Sequence, residues 1–441
     1  MELALAADAV HAEHSRPRKR RRGAPGVIAI TDIHLLQQHH AAVSPQSLPI
    51  VPSTSKTSFD LIVVGGGPAG SAAACTAARQ GLRVALLDQA RFPRDKLCGG
   101  LLTLRAAKVY ASVFDRGWDD TIEARAHGLR LFGRQGHLLN EVHDRQLLQF
   151  TCRSRFDHLL LQQAEAAGVQ LHLGQRVRHI NAGEAAVQLD DGRRFSARAL
   201  IGADGVRSAV ARGLFGRSFN PDTIALGLEM EVPREFEGAD GVSAPEIHLG
   251  VARWGYGWIF PKRETLTVGL GGLLPHNPRL RQDFEAFVQR RFLGLPAARI
   301  KGHHIPYGDC LRTPGRDRVI LCGDAAGLVE PITGEGIAFA MLSGREAALS
   351  VQEALGKSGS PLAAYLPRYR RLVADFRIAR GLRQLMFPRA CEALFLYALP
   401  RLRHAPARHM DLMADELGYP AYARYIAASV LTRGWRKLLP F

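Results

Sequence analysis

The stretch from residue 59 to residue 88 constrains this chain more than any other. An apolar run at 59–64 leads into Gly65-Gly66-Gly67-Pro68-Ala69-Gly70, then an Ala-rich segment to Gln80, then a second apolar run at 83–87 ending in Asp88. Short apolar runs of this kind read as buried strands and the Ala-rich segment as a helix, so the pattern predicts a βαβ unit. Within it, Gly65 permits a tight turn, Gly67 lets a phosphate approach the backbone, and Gly70 lets the helix pack closely on the strand. A helix starting there offers unpaired N–H groups and a positive dipole end to an anion. Asp88 stands where a carboxylate accepts from ribose hydroxyls. A glycine motif by itself is weak evidence, but strand, helix and acid in this order predict a dinucleotide site.

The rest of the chain places this unit in a larger plan. At 441 residues the expectation is two lobes and a tail. Residues 1–57 carry a basic run at 16–22, a His-rich patch at His39 and His40 and a Pro/Ser/Thr stretch, the composition of a disordered extension. Gly23-Ala24-Pro25 follows the basic run where a signal peptide would need apolar residues. A helix is expected at 153–167, with strands at 170–177 and 185–189 and a hairpin turn at Asp191-Gly192. From 223 to 274, alternating apolar residues with aromatics and glycines suit an antiparallel sheet. A short strand at 318–322 and a long Ala-rich helix at 335–355 follow, and beyond Pro361 the chain reads as helical and Arg-rich. The expected fold class is α/β: a Rossmann-type domain split into 58–222 and 311–358, an inserted antiparallel substrate sheet at 223–310, and a helical C-terminal region at 359–441.

Charge and cysteine content exclude several classes. The formal net charge of +17 favours anionic surfaces, but no basic stretch is interleaved with aromatics for base stacking, so nucleic acid is not an expected partner. No run of eighteen apolar residues predicts a transmembrane helix. Cys75, Cys98, Cys152, Cys310, Cys322 and Cys391 form no Cys-x-x-Cys pair, which argues against zinc and iron–sulfur centres and for free thiols in a reducing compartment. The expectation is a metal-free cytoplasmic protein with scope for peripheral contact at the inner membrane surface.

Two further segments extend the pattern. Ile201-Gly202-Ala203-Asp204-Gly205-Val206-Arg207-Ser208 follows a short apolar run. Gly323-Asp324-Ala325-Ala326-Gly327 precedes Pro331 and Gly334-Glu335-Gly336, which opens the long helix. Asp204-Gly205 alone is an ordinary turn. Asp324 has the chemistry to accept from a ribityl hydroxyl or to hold a water beside phosphates. Gly334 and Gly336 let N–H groups at a helix start face the pyrimidine edge of a flavin, where negative charge collects on reduction. Together, in this order, the three segments resemble the FAD-dependent reductases and hydroxylases with the aromatic-hydroxylase-like fold, over residues 58–345. The resemblance implies tightly but non-covalently bound FAD. It implies contacts at Gly65, Gly67, Pro68, Ala69, Gly70, Asp88 and Gln89, at Cys98 and Gly99, at Asp204, and at Asp324, Gly336 and Ile337. Arg153 matches a family arginine at the start of a helix near the cofactor, and Val177 a strand position that contacts adenine through its backbone.

Lys96-Leu97-Cys98-Gly99-Gly100 and Trp254-Gly255-Tyr256-Gly257-Trp258-Ile259-Phe260-Pro261-Lys262 narrow the resemblance to the geranylgeranyl reductase branch. That branch pairs a Cys-Gly-Gly loop beside the flavin with a Tyr-x-Trp-x-Phe-Pro strand, and it saturates isolated double bonds of polyprenyl chains. The implied reaction is hydride transfer from reduced FAD to a hydrophobic isoprenoid lipid, with Cys98, Tyr256 and Trp258 as candidate catalytic residues. Tyr256 and Trp258 are two apart and so share one face of a strand. The plainer readings are sheet core for the aromatics and a small buried thiol for Cys98. Rival readings are a monooxygenase or halogenase acting on an aromatic or apolar molecule, a flavoprotein passing electrons to membrane quinone, and a non-enzymatic flavin scaffold. A halogenase would resemble this branch with a Trp-x-Trp-x-Ile-Pro segment, where Tyr256 and Phe260 stand here. The quinone-linked type carries a C-terminal cysteine cluster that Cys391 alone cannot supply. Gly269-Leu270-Gly271-Gly272 lacks the third glycine and following helix of a second dinucleotide motif. The electron donor is left open between NAD(P)H and a ferredoxin, and the basic charge suits an acidic ferredoxin and an anionic membrane equally.

Overall fold

The apolar run at 59–64 is strand β1 (Ser58–Val64), and its unbroken hydrophobicity follows from its neighbours on every side. It pairs in parallel with β2 (Val84–Asp88) and with β9 (Arg194–Gly202), and helices cover the sheet, so alternate residues have no solvent face to serve. Numbering elements in chain order, the parallel core runs β16 (Val319–Leu321), β9, β1, β2, β6 (Gln170–Leu173). β15 (Gly315–Arg316) is antiparallel to β16, and the hairpin of β7 (Val177–Asn181) and β8 (Ala186–Leu189) joins β9. The computed structural model describes residues 58–432 apart from 297 and 403. The expectations for residues 1–57 lie outside the described residues.

Helix α1 (Pro68–Arg79) carries Ala72, Ala73, Ala74, Cys75 and Ala77, all without solvent exposure. Small side chains are needed there because α6 (Ile337–Gly356) crosses α1 closely: a Cβ on Gly344 would lie 2.1 Å from the carbonyl oxygen of Ala69. The glycine motif and the long Ala-rich helix are thus packed backbone to backbone. The helix expected at 153–167 is α3 (Arg153–Ala166).

The second sheet runs β14 (Lys301–Ile305), β10 (Ala225–Pro233), β13 (Thr265–Leu273), β12 (Gly255–Pro261), β11 (Glu246–Leu249), β4 (Ile122–Phe132), β5 (Leu138–Thr151), β3 (Leu101–Leu102). One face is core: Met230, Val232, Ile259, Val268 and Leu270 pack on Phe284 and Phe287 of α5 (Leu280–Arg291). The alternate residues point the other way, toward the βαβ unit. Helices α2 (Leu104–Ala111) and α4 (Ala209–Phe215) flank the first sheet's motifs. The C-terminal region is helical as expected, from α7 (Pro361–Leu372) through α8 (Ala374–Arg383), α9 (Arg389–Ala398) and α10 (Ala405–Met413) to α11 (Tyr419–Thr432).

Two sequence expectations change. The strand at 170–177 is two strands, because Gly174 turns the chain at φ +72° and sends β6 and β7 to different partners. The second sheet also draws β3–β5 from residues 101–151, inside the span read from sequence as the first half of the nucleotide-binding domain. Arg, His and Glu interrupt the apolar residues of β4, and register shifts at 122/124, 127/128 and 131/132 break the alternation, so no strand signal is legible there. Among the described residues no helix is long and apolar enough to cross a membrane.

Candidate functional site

Gly65 makes the turn out of β1 at φ +106°, where a Cβ would meet the Ala203 carbonyl oxygen at 2.3 Å. α1 then starts at Gly67 with no side chain capping its first N–H groups. Asp88 at the end of β2 accepts from the Gly66 N–H through Oδ2 (2.6 Å) and from the Ala90 N–H through Oδ1 (2.8 Å), which fixes the carboxylate beside the turn. Arg94 brings a guanidinium next to Gly67. It shares the fully buried Asp157 with Arg153, which binds that carboxylate in a forked pair at 2.7 and 2.8 Å. The helix start is therefore open, positive by dipole and flanked by two arginines.

The closing motif reaches the same space from the other side. Asp324 lies in a single 3-10 turn (Gly323–Ala326), and no hydrogen bond or ion pair within the described residues engages its carboxylate. The chain from Glu330 to Gly336 is clamped. Tyr256 donates its hydroxyl to the Thr333 carbonyl, Tyr307 donates to the Ile332 carbonyl at 2.6 Å, and Tyr419 of α11 donates to Glu330. Glu330 in turn accepts from the N–H groups of Ile332 (2.9 Å) and Thr333 (2.5 Å). The Glu335 side chain is buried and binds Arg105 at 2.7 Å and the Thr103 hydroxyl at 2.5 Å. Burial pushes the Glu335 carboxyl above its ordinary pKa, although Arg105 and Thr103 draw it back. The result is a rigid approach to α6, whose first N–H groups at Gly336 and Ile337 carry no side-chain cap.

The free face of the second sheet forms the third wall. Register puts Leu131, Ile247, Trp258, Gly269, Glu229 and Lys301 in one row across β4, β11, β12, β13, β10 and β14. Residues opposite one another share a face, so the row runs from apolar to charged. Gly269 is the gap that shapes it. A Cβ there would lie 2.2 Å from Cε2 of Trp258, so the indole lies across β13 and its Nε1 reaches Glu229 Oε1 at 3.2 Å. Gly271 also borders the indole, with a Cβ placed 3.2 Å from it, whereas a Cβ on Gly272 would meet the Arg253 carbonyl oxygen at 2.5 Å. Tyr256, two residues from Trp258, shares its face, with ring centroids 5.9 Å apart at 67°. Its hydroxyl, tied to Thr333 and pushed well above its usual pKa by burial, holds the loop before α6 in place.

The two branch-specific segments touch. A Cβ on Gly99 would lie 2.6 Å from the Phe260 ring and 3.5 Å from Trp258 Nε1. Cys98 accepts from the Gly100 N–H at 3.4 Å. Lys96, on the same loop, is half-buried, and its ammonium is lowered in pKa by burial and then by Arg153. All six cysteines are free.

A single cavity of about 1140 Å³ gathers these walls. It is bordered by Gly65, Gly67, Pro68, Ala69, Asp88, Gln89, Cys98, Gly99, Arg153, Val177, Asp204, Asp324, Gly336 and Ile337, and by Tyr256 and Trp258. Of the residues expected there, Gly70 does not border the cavity: a Cβ would lie 1.7 Å from the Gly65 carbonyl oxygen, so it serves helix packing. Asp204 borders the cavity, but its oxygens cap α4, accepting from the Ser208 hydroxyl (2.5 Å) and the Ala209 N–H (2.6 Å). Missed by sequence reasoning were Arg94, Arg105, Glu229 and His303. Burial, then Lys96, lowers His303 to about 3, so it is neutral. From the sheet wall the cavity continues over Leu382, Met386, Phe395, Leu399 and Leu402 of the C-terminal helices, an apolar arm.

FAD fits these residues on two observations of the fold: two uncapped helix starts face one cavity, and an acid fixed at the end of β2 stands beside the first. The family model for FAD dependent oxidoreductase matches residues 60–207, and the protein is an FAD-dependent oxidoreductase of the α/β flavoprotein class. Menaquinone reductase of Mycolicibacterium smegmatis is 35% identical over 317 residues, 66% of this chain and 76% of that protein. Geranylgeranyl diphosphate reductase of Rhodobacter capsulatus is 32% identical over 334 residues, 73% of this chain and 79% of that protein. The chain belongs to the geranylgeranyl reductase family of these oxidoreductases. Among solved structures, a geranylgeranyl bacteriochlorophyll reductase-like protein from Thermoplasma acidophilum superposes with a TM-score of 0.67 at 21% identity, covering 85% of this chain and 99% of that one. The flavin-dependent brominase Bmp2 gives the same TM-score at 19% identity, covering 86% and 100%, so the fold alone does not separate reductase from halogenase.

Proposed function

We propose that this enzyme reduces carbon–carbon double bonds in the isoprenoid chain of a lipid. The observation that carries the reading is the contact of the Cys98-Gly99-Gly100 loop with Trp258 and Phe260, at the junction of the motif-lined part of the cavity and its apolar arm. A polyprenyl chain laid along Leu399, Leu402, Leu131 and Ile247 would reach Trp258 there. The names of the relatives point the same way: menaquinone, geranylgeranyl diphosphate and digeranylgeranylglycerophospholipid differ in headgroup and share a polyprenyl chain. The halogenase reading is disfavoured by Tyr256 and Phe260 at the positions where that branch has Trp and Ile.

When bound, reduced FAD supplies the hydride. In this reading the start of α1, with Arg94 and Arg153 beside it, holds the diphosphate, and Asp88 with Gln89 meets the adenosine ribose. Val177 faces the adenine, Asp324 binds the ribityl chain, and the N–H groups at Gly336 and Ile337 stabilise charge on the pyrimidine edge. Asp204 acts at one remove, by fixing the turn behind α4. Cys98 and Gly99 would lie beside the bound ring, and Trp258 with Tyr256 would wall off water from the reacting carbons.

Asp324→Ala is expected to lose FAD on purification, read as the ratio of flavin to protein absorbance; a fully flavin-loaded variant would remove that role. The function itself is tested anaerobically with excess reductant, offering geranylgeranyl diphosphate and a menaquinone in separate reactions. Products with added hydrogen in the prenyl chain are expected by mass spectrometry. Unchanged lipids in both reactions would overturn the proposal.

A further inference from the structure

We infer that Glu229 is the proton donor of this cavity: its carboxyl group, held by Trp258, protonates one carbon of the substrate double bond while the other takes the hydride. The inference rests on the isoprenoid-reduction reading. The other carboxyl groups of the cavity are committed elsewhere. Asp88 is held by backbone amides, Asp204 caps α4, Asp95 pairs with Lys301, and Glu335 pairs with Arg105. Asp324, which lies on the closing motif, is assigned to the ribityl chain. That leaves Glu229, which is 6% exposed and borders the cavity, and whose carboxyl group accepts, among the described residues, one hydrogen bond, from the indole N–H of Trp258.

Its surroundings hold a sizeable fraction of it protonated near neutral pH. Burial raises its pKa to about 7, against the pull of Lys262 and Lys96 and of the Trp258 hydrogen bond. Each packed element contributes a defined neighbour. Glu231, two residues along β10, adds a second negative charge but is bound to Lys262 at 3.2 Å and to the Thr267 hydroxyl of β13 at 2.8 Å. β12 supplies Trp258 and β13 supplies Gly269 beside it. Lys301 on β14 stands opposite in register, but its ammonium turns outward to Asp95. Lys96 reaches in from the Cys98 loop. None of these cations forms an ion pair with Glu229.

The chemistry balances. The π pair of the alkene takes the carboxyl proton to form one C–H bond, and the hydride that reduced flavin supplies brings its electron pair to form the other. The substrate gains two electrons, the flavin is oxidised by two, and the Glu229 carboxylate regains its proton from solvent. Trp258 has the fitting role: an N–H donor to Glu229 stabilises the carboxylate that forms as the proton leaves. Gly99, 3.5 Å from that indole nitrogen when given a Cβ, places the Cys98 loop against the same pair.

Glu229→Gln keeps an oxygen to accept from Trp258 and removes the acid. Flavin content, reduction by dithionite and reoxidation by oxygen should match wild type. Anaerobic reoxidation of the reduced enzyme by geranylgeranyl diphosphate should slow by about 10²–10⁴-fold. The wild-type rate should fall by about tenfold per pH unit above about 7, because the active form is the protonated one, while the residual rate of the variant should not titrate there. Independently of turnover, infrared difference spectra of the oxidised, FAD-loaded protein should show a carboxylic-acid C=O band lost as pH rises through about 7 and missing from Glu229→Gln. A variant within a few-fold of wild type, with the same pH profile, overturns the inference and leaves the proposed function standing. A wild-type enzyme that the lipid cannot reoxidise removes both.

Discussion

Arg105→Ala is expected to destabilise the protein by about 3–5 kcal/mol, the typical cost of leaving one partner of a buried ion pair uncompensated. Arg105 is 8% exposed and, besides an ion pair with the exposed Asp415 at 3.6 Å, makes three contacts that tie the site together. It binds Glu335 at 2.7 Å, donates to the Leu412 carbonyl of α10, and lies 5.1 Å over the Phe339 ring of α6. Its loss would leave Glu335 buried between Gly334 and Gly336 with only the Thr103 hydroxyl for support, and would untie the C-terminal helices from the flavin-binding loop. The sign of the pH effect follows. Burial already holds the Glu335 carboxyl above its ordinary pKa, and without Arg105 it rises further. A group whose folded-state pKa is raised makes the folded state less favourable as pH rises above the unfolded value, so the variant's deficit should be larger at pH 8 than at pH 5. Arg105→Met with Glu335→Gln removes both charges and should recover most of the loss. Denaturant midpoints at the two pH values check this; an Arg105→Ala protein as stable as wild type would mean that Glu335 is not committed to that pair.

Gly269→Val should abolish lipid reduction while sparing FAD. The first added atom would lie 2.2 Å from Trp258 Cε2 and 2.5 Å from its Nε1, so the indole must leave its place across β13. Two contacts go with it, the hydrogen bond to Glu229 and the contact with the Cys98 loop. Displacing a positioning group by about 1 Å can cost on the order of 10²-fold in rate, and here the displacement is at the reacting end of the cavity. Overpacking a sheet adds a stability cost of roughly 1–3 kcal/mol, small enough that the variant should fold. Gly227→Ala is the matched control: its Cβ would meet the tip of the Ile305 side chain at 3.1 Å, which can swing aside. Rates of lipid-driven flavin reoxidation, set against flavin content, distinguish the two. Equal loss in both variants would show that the sheet, and not the Trp258 position, had been disturbed.

These residues also show where the sequence is legible. The βαβ unit could be read because burial on both faces leaves an unbroken apolar run and because a tight turn beside a helix start demands glycine. The Cys98 loop and the Tyr256–Phe260 strand could be read by resemblance, and their contact in space explains why they occur together. Glu229 was illegible for a physical reason. In Leu226-Gly227-Leu228-Glu229-Met230-Glu231-Val232 the alternation marks one core face and one polar face. The pattern is the same whether the polar face meets water or closes over a cavity. The hairpin of β4 and β5 was hidden because its charged residues and register shifts erase the period of two. Arg94 and Arg105 could not be picked out among so many arginines, since their roles depend on Asp157 and Glu335, which are distant in the chain. The apolar arm is made from separate turns of several C-terminal helices, and no single window of sequence contains it.

The central claim is that the cavity between the flavin motifs and the aromatic sheet delivers reducing equivalents to a prenyl double bond. Stopped-flow spectroscopy of the dithionite-reduced protein tests it most directly, by following flavin absorbance after mixing with geranylgeranyl diphosphate without oxygen, and with oxygen alone. Reoxidation by the lipid, with a saturated bond in the product, is the predicted result. Reoxidation by oxygen but not by the lipid, through a transient peroxyflavin absorbance, would contradict it and favour a monooxygenase.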